Sequence, residues 1–186
     1  MPQASHLAVD VPILETARLR LRPHRVEDFP QSARMWSDPK VTQYIRSTLF
    51  TAEETWSRLL RYIGHWTLLR FGYWAIEQKE TGTFVGEVGF ADYRRDLVPS
   101  LEGMPEIGWG LVPDAHGKGF ATEAVGAAIT WGDSHFGKKR TACIIAPDNA
   151  PSIGVAVKCG YREFQWTTYH GDPTIIYVRD PSDNSA

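Results

Sequence analysis

The stretch from residue 106 to residue 122 reads Glu-Ile-Gly-Trp-Gly-Leu-Val-Pro-Asp-Ala-His-Gly-Lys-Gly-Phe-Ala-Thr. Its first seven residues are mostly apolar and end at Pro113, which predicts a strand. The glycine-rich turn at 117–119 follows, and an apolar helical pattern begins directly after it. Unpaired amides and the positive end of the helix dipole meet at such a turn. The stretch therefore predicts an anion site, with a plain tight turn before a helix as the alternative.

The common nucleotide-binding loops do not fit this turn. A P-loop has Ser or Thr after its lysine, but Gly119 follows Lys118 here. A dinucleotide fingerprint needs a third glycine where this chain has Thr122. The remaining candidate is a pyrophosphate held mainly by backbone amides without a metal ion, and coenzyme A carries such a group.

Secondary-structure patterns continue on both sides of the turn. Upstream, they predict an edge strand at 19–22, helices at 26–35 and 51–66, and strands at 73–77 and 83–91. Downstream of the helix that follows the turn, they predict strands at 141–146, 161–169 and 174–178 and a helix at 149–159. The order is β-α-α-β-β-β-α-β-α-β-β, an α+β (mixed α/β) fold. We expect one domain at 13–180 between flexible segments at 1–12 and 181–186.

Composition excludes several classes of protein. The 186 residues include 20 Lys and Arg and 22 Asp and Glu, so the net charge of -2 does not favour a general nucleic-acid binder. Two cysteines, Cys143 and Cys159, are too few for a disulfide scaffold or a structural zinc site. The sequence has no apolar run long enough to span a membrane and no secretory signal pattern. We expect a cytoplasmic monomer or homodimer without metal, nucleic-acid or membrane partners.

At residues 116–121, His-Gly-Lys-Gly-Phe-Ala, the sequence resembles the acyl-CoA loop of the GNAT superfamily of N-acetyltransferases, usually written Q/R-x-x-G-x-G/A. The loop differs from that pattern at its first position. Further similarity to the ribosomal-protein N-terminal acetyltransferase branch lies at 14–22, 38–42, 119–124, 149–152 and 158–161. The resemblance covers roughly residues 13 to 180.

The resemblance implies an enzyme that moves an acetyl group from acetyl-CoA to a primary amine, either a protein N-terminus or a small amine, by direct transfer in a ternary complex. In that fold the strand before the loop splays from its neighbour in a mostly antiparallel sheet, and Gly108 and Gly110 suit such a splay. The implied cofactor-binding residues are Trp109, Gly110, Leu111, His116, Gly117, Lys118, Gly119, Phe120, Ala121, Thr122, Asn149 and Ser152.

Three carboxylates are candidates for contact with the amine. Glu106 begins the strand that enters the loop, and there it is either the general base or a carboxylate in solvent. Glu87 lies within a strand and faces either the same cleft or the solvent. Asp172 resembles an acidic position in the tail of this branch and contacts the acceptor or serves in a turn.

The proton for the departing thiolate is assigned to Ser152 by the same resemblance. Many members of the superfamily have a tyrosine acid where this chain has Ala156, so we place the acid at Ser152. Asn149 and Ser152 also fit a plain helix cap. The missing tyrosine keeps a second hypothesis open, a non-catalytic module that binds or senses coenzyme A. The acceptor cleft is predicted to have aromatic walls from Trp56, Trp66, Trp74 and Trp109, unless these are core residues.

Overall fold

The computed structural model describes residues 10–181, and all elements below lie in that range. The helices, in chain order, are α1 (Phe29–Trp36), α2 (Pro39–Thr42), α3 (Ala52–Leu69), α4 (Phe120–Phe136) and α5 (Ala150–Lys158). The strands are β1 (Leu14–Glu15), β2 (Leu19–Arg22), β3 (Tyr73–Gln78), β4 (Thr83–Ala91), β5 (Glu106–Leu111), β6 (Thr141–Ile145), β7 (Arg162–Tyr169) and β8 (Asp172–Arg179). Of the predicted flexible segments 1–12 and 181–186, residues 1–9 and 182–186 lie outside the described range. Within it, Val11 packs against the core and the Pro12 carbonyl accepts a hydrogen bond from Trp74 Nε1 at 2.8 Å.

The eight described strands form one sheet in the order β1-β2-β3-β4-β5-β6-β8-β7. Every neighbouring pair is antiparallel except β5 and β6. The mixed fold and the order of its main elements are confirmed, with β1 and α2 as short additions. The predicted edge position of residues 19–22 is wrong, because β1 pairs with the outer side of β2.

The parallel pair of strands opens almost as soon as it forms. One residue pair, Glu106 with Ala142, connects β5 to β6, and the Ala142 amide donates to the Pro105 carbonyl at 3.1 Å. On its other side β5 stays paired with β4 as far as Leu111 opposite Gly86. Beyond Glu106, one backbone edge of β5 therefore has no strand partner among the described residues, and the predicted splay is confirmed.

The helices cover the two faces of the sheet separately. The apolar side of α4 packs on the face formed by alternate strand residues such as Leu21, Trp74, Val88 and Ile107. Glu87, Gly108 and Glu106 belong to the opposite face, because neighbouring side chains along a strand point to opposite sides. That second face packs against α1 and α3, as the contacts of Trp36 and Tyr62 show.

The helix α3 begins where the sequence predicts it. Thr51 accepts a hydrogen bond from the Glu54 amide at 3.1 Å, and the Glu54 side chain accepts one from the Thr51 amide at 2.7 Å. This reciprocal cap satisfies amides that have no partner within the helix. It fixes the start of the helix that carries Tyr62 over the second face of the sheet.

The glycines of β5 leave room for aromatic side chains on the second face of the sheet. A Cβ atom at Gly108 would lie 2.1 Å from the Tyr73 hydroxyl oxygen, and one at Gly110 would lie 3.1 Å from the Trp36 ring. The absence of side chains therefore lets two aromatic residues cross the strand on the second face.

Candidate active site

The glycine turn presents backbone amides at the start of α4. Gly117 and Gly119 have φ angles of 72° and 78°, in the left-handed region that glycine adopts without strain. The first amides of an α-helix have no acceptor within the helix, and no side chain caps α4 at Gly119. With the positive end of the helix dipole added, the turn is a suitable place for a phosphate group.

Arg18 holds this turn from the side of β2. Its Nη1 donates to the Lys118 carbonyl at 2.9 Å, and its Nε donates to the Glu123 carboxylate at 2.7 Å. Glu123 lies in the first turn of α4, where its negative charge would repel a bound phosphate. Burial raises the pKa of Glu123, but hydrogen bonds from Thr16 and Arg18 outweigh burial and hold it below its usual value. Arg18 thus offsets a permanent negative charge beside the turn.

We expect Arg18→Gln to weaken binding of coenzyme A about tenfold, because the substitution leaves Glu123 unpaired beside the phosphates. The double variant Arg18→Gln/Glu123→Gln should regain most of that affinity, since it removes the charge as well as its partner. Calorimetric titration of the wild type, both single variants and the double variant with coenzyme A measures the coupling free energy between Arg18 and Glu123. Simple additivity of the two single effects would show that Arg18 does not act through Glu123.

Other predicted cofactor-binding residues lie around the same turn. His116 Nε2 is 2.9 Å from the Leu111 carbonyl, which ties the loop to the end of β5. The Trp109 side chain packs against the core on the α4 face. Phe120 is buried under Arg18, whose guanidinium lies 4.6 Å from the ring centroid. Contact of these residues with coenzyme A stays a prediction.

Across the gap, α5 starts just after β6. Asn149 Oδ1 accepts a hydrogen bond from the Ser152 amide at 3.1 Å, so the predicted capping role is confirmed. Ala156, where a tyrosine is common in the superfamily, is fully buried in the core. The Ser152 side chain is half-buried in the first turn of α5, and its role as an acid stays a prediction.

Glu106 is held by an arginine at the point where the strands separate. Arg95 donates to both carboxylate oxygens of Glu106, at 2.6 and 2.8 Å, and to the Tyr169 hydroxyl at 2.7 Å. Its guanidinium lies 4.5 Å from the Tyr93 ring centroid and 4.8 Å from that of Tyr169. Glu106 is 6% exposed, so the alternative that placed it in solvent is wrong. An acceptor amine must compete with Arg95 for the carboxylate.

A cavity of about 150 Å³ opens beside this ion pair. Both Arg95 and Glu106 contribute to its wall, together with the apolar residues Leu101 and Met104. The cavity lies under the loop between β4 and β5, on the face that carries α1 and α3. It is a candidate acceptor pocket at the closed end of the splay.

Glu87 lies on the same face but is fully buried. Its carboxylate accepts hydrogen bonds from Ser32 Oγ, from Trp36 Nε1 at 3.0 Å and from the Tyr62 hydroxyl at 3.0 Å. The alternative that placed Glu87 in solvent is wrong, because none of its surface is exposed. Contact with the acceptor stays a prediction that requires the carboxylate to become accessible. In this structure Glu87 fixes the positions of α1 and α3.

We expect Glu87→Ala to lower the free energy of unfolding by about 4 kcal/mol, because it leaves three buried donors without an acceptor. Glu87→Gln keeps one carbonyl acceptor and should lose roughly half as much. Urea denaturation followed by tryptophan fluorescence measures both values, with Glu80→Ala in the exposed β3–β4 turn as the control. A loss below about 1 kcal/mol for Glu87→Ala would contradict a stabilising network.

Asp172 lies at the hairpin between β7 and β8. It is exposed and pairs with Tyr169 across a turn formed by His170 and Gly171, which have φ angles of 53° and 91°. The position agrees with the turn alternative. Contact of Asp172 with an acceptor stays a prediction.

Burial favours the protonated form of two tyrosines and of both cysteines. It raises the pKa of Tyr73 and Tyr93, so both hydroxyl groups are neutral donors near Glu106. Burial also raises the pKa of Cys143 and Cys159. A thiol with a raised pKa is a poor nucleophile at neutral pH, so neither cysteine is suited to carry an acetyl group.

The acetyltransferase (GNAT) domain family matches residues 18–162, which include the splayed strands, the glycine turn and α5. The chain belongs to the GNAT acetyltransferase family. Uncharacterized N-acetyltransferase p20 of Bacillus licheniformis is 34% identical over 141 residues, which is 75% of this chain and 76% of that protein. Uncharacterized N-acetyltransferase YoaA of Bacillus subtilis is 27% identical over 153 residues, 82% of this chain and 84% of the relative.

Solved GNAT structures have the same fold. A structure described as a GNAT-family acetyltransferase of Bordetella pertussis has a TM-score of 0.79 at 27% identity and covers 91% of this chain and 99% of its own. A ribosomal L7/L12 alpha-N-protein acetyltransferase solved with coenzyme A has a TM-score of 0.73 at 17% identity, with coverage of 91% and 98%. At that identity the second likeness shows the fold alone.

Sequence reasoning missed several residues of this GNAT site. Arg95 lies in a loop without periodicity, and its pairing with Glu106 depends on the path of that loop. Two of the four predicted wall residues are core, because Trp66 and Trp74 are buried and make edge contacts with Trp131 of α4. Trp56 and Trp109 are only partly buried. The aromatic residues beside Glu106 are instead Tyr93 and Tyr169. Side chains alternate between the two faces of a sheet along a strand, and this alternation along β3 would have placed Trp74 on the α4 face. Glu87 lies on the other face.

Two further findings concern metals and membranes. Between residues 10 and 181, no group of three or more His, Cys, Asp or Glu side chains is placed to hold a metal ion. No helix in that part of the GNAT chain has the length and apolar character to cross a membrane.

Proposed function

We propose that this GNAT protein transfers the acetyl group of acetyl-CoA to a primary amine in a ternary complex, within the cytoplasm. The observation that carries the proposal is the splay between β5 and β6, which ends at the glycine turn. It combines an unpaired strand edge with a cluster of free amides, and these match the amide-containing arm and the pyrophosphate of one ligand.

The cofactor fits the residues along this gap. The amides of Gly117, Gly119 and the first turn of α4 would hold the pyrophosphate, and Lys118 would add a positive charge. The free edge of Gly110 and Leu111 would pair with the arm, with Asn149 on the other side of the gap. When bound, acetyl-CoA supplies a thioester carbonyl that an amine can attack. Nothing in this arrangement requires a metal ion.

Glu106 is the proposed general base. Amines are mostly protonated at neutral pH, so the acceptor must lose a proton before its nitrogen can attack. Glu106 lies where β5 and β6 separate, and there its carboxylate would attract the ammonium group and accept that proton. The nitrogen–carbon bond then forms and the carbon–sulfur bond breaks.

Ser152 is the proposed acid for the sulfur that leaves. It lies in the first turn of α5, on the β6 side of the gap, and its hydroxyl would donate a proton to the thiolate. The two polar groups thus act from opposite sides of the splay. Because Cys143 and Cys159 remain thiols, the proposal has no acetylated enzyme intermediate.

A test of the function measures release of free coenzyme A from acetyl-CoA with a panel of small amines, amino acids and N-terminal peptides. Turnover with at least one acceptor, reduced in Ser152→Ala, supports the proposal. Tight binding of coenzyme A without turnover on any acceptor would favour the module that only binds or senses coenzyme A. A protein that does not bind coenzyme A would contradict both functions.

A further inference from the structure

We propose that the acceptor is a free α-amino acid, bound as a zwitterion between Glu106 and Arg95. This inference rests on the proposed acetyl transfer and names its acceptor class. The ammonium group takes the place of Arg95 at the Glu106 carboxylate, and the amino acid's own carboxylate binds the Arg95 guanidinium. One buried ion pair is thereby exchanged for two.

Arg95 and Glu106 form an isolated ion pair. The side chains of Arg95 and Glu106 are 19% and 8% exposed, and neither has another ion-pair partner among residues 10–181. The other contacts of Arg95 are a hydrogen bond to the hydroxyl of Tyr169 and the faces of the Tyr93 and Tyr169 rings, none of which is a carboxylate. Each charge therefore depends on the other for its stabilisation.

An acceptor that carries only a positive charge would replace one partner of the ion pair and leave the other without one. An amine or a protein N-terminus that binds Glu106 leaves the guanidinium of Arg95, which is only 19% exposed, without a carboxylate partner, and the loss of that partner is unfavourable. A free amino acid carries both missing charges, two bonds apart. It supplies an opposite charge to both Glu106 and Arg95 in a single binding event.

The cavity beside the ion pair has the size for a small acceptor. Its volume of about 150 Å³ is below the roughly 300 to 1,000 Å³ of pockets for drug-sized ligands, which suits one small molecule. Leu101 and Met104 form an apolar wall for a side chain. Glu106 lies at the closed end of the splay, so an amine bound there is next to the strand proposed to hold the acetyl arm.

Acetylation removes the charge of the acceptor nitrogen, which favours return of the Arg95–Glu106 ion pair. The ammonium group gives one proton to Glu106, and its nitrogen then bonds to the acetyl carbon. As the carbon–sulfur bond breaks, Ser152 donates a proton to the thiolate and is reprotonated by the second proton that the nitrogen loses. The product is an N-acetyl amino acid, whose amide nitrogen carries no charge. Glu106 then has no cation except Arg95 once its proton passes to solvent, and re-formation of their ion pair favours release of the product.

The test compares kcat/KM for free L-amino acids with kcat/KM for the corresponding amino-acid amides and for N-terminal peptides. We expect the best amino acid to exceed its amide by about 100-fold, although the amine of an amide is the less basic of the two and more of it is unprotonated at neutral pH. Arg95→Gln should bring this ratio close to one, and Arg95→Lys should leave an intermediate ratio. The KM for acetyl-CoA should stay within about twofold of the wild type.

Arg94→Gln is the matched control, because Arg94 lies on the rim, highly exposed and paired with Asp92. It should keep the preference for the free amino acid. Equal or better use of the amides or peptides would overturn the amino-acid proposal while leaving acetyl transfer intact. Absence of turnover with every amine, amino acid and peptide in the panel would overturn the proposed function itself.

Discussion

Replacing Glu106 by glutamine is expected to lower kcat about 100- to 10,000-fold at pH 7, the range for loss of a general base. Glutamine keeps the shape of the side chain and still accepts a hydrogen bond from Arg95 through its carbonyl oxygen. It cannot accept the proton of an ammonium group. The variant can therefore use only the small fraction of acceptor that is already unprotonated in solution.

The dependence on pH distinguishes this explanation from a loss of structure. In the variant, kcat/KM should rise about tenfold per pH unit up to the pKa of the acceptor amine, so the difference from the wild type narrows as pH increases. Steady-state rates between pH 6 and pH 9 measure it, with Glu102→Gln at the exposed rim of the same cavity as control. Identical profiles for Glu106→Gln and wild type would remove Glu106 as the base.

Replacing Gly117 by aspartate is expected to raise the Kd for coenzyme A at least about 100-fold. A non-glycine residue at its φ of 72° is strained, and a carboxylate there would lie before the amides proposed to hold the pyrophosphate. A Cβ atom at Gly117 meets nothing within 4 Å, so overpacking of the chain itself does not contribute. Gly117→Ala should show the smaller effect of backbone strain alone.

Gly82 provides a matched control for this substitution. It lies in the β3–β4 turn with a φ of 67°, and a Cβ atom there also meets no neighbour within 4 Å. Gly82→Asp introduces the same strain and the same charge away from the glycine turn at 117–119. Calorimetric titration should give it the affinity of the wild type, whereas equal losses at both glycines would contradict a phosphate site at the turn.

The secondary structure of residues 106–122 could be predicted because interactions between residues close in sequence determine it. The apolar strand, the proline after it and the glycines with positive φ depend on backbone preferences of a few residues at a time. The cap of α5 by Asn149 is equally local. For this reason the loop and the two helix starts agree with the sequence prediction closely.

The partner of Glu106 could not be predicted in the same way. Arg95 lies 11 residues before Glu106 in an irregular loop, and its contact with Tyr169 spans 74 residues. Such contacts follow from the path of the chain and have no periodic pattern. The same applies to Gly108, where the sequence shows a missing side chain but not the Tyr73 hydroxyl that uses the space.

The one residue pair between β5 and β6 has a mechanical consequence. The sheet consists of two blocks, β1 to β5 and β6 to β8, whose hydrogen-bonded ladders meet at Glu106 and Ala142. Few backbone hydrogen bonds cross the junction, so the apolar core, which contains residues of both blocks such as Ile107 and Tyr177, holds them together. A ligand lying in the gap would add contacts between the two blocks beside the proposed base, where the backbone provides few.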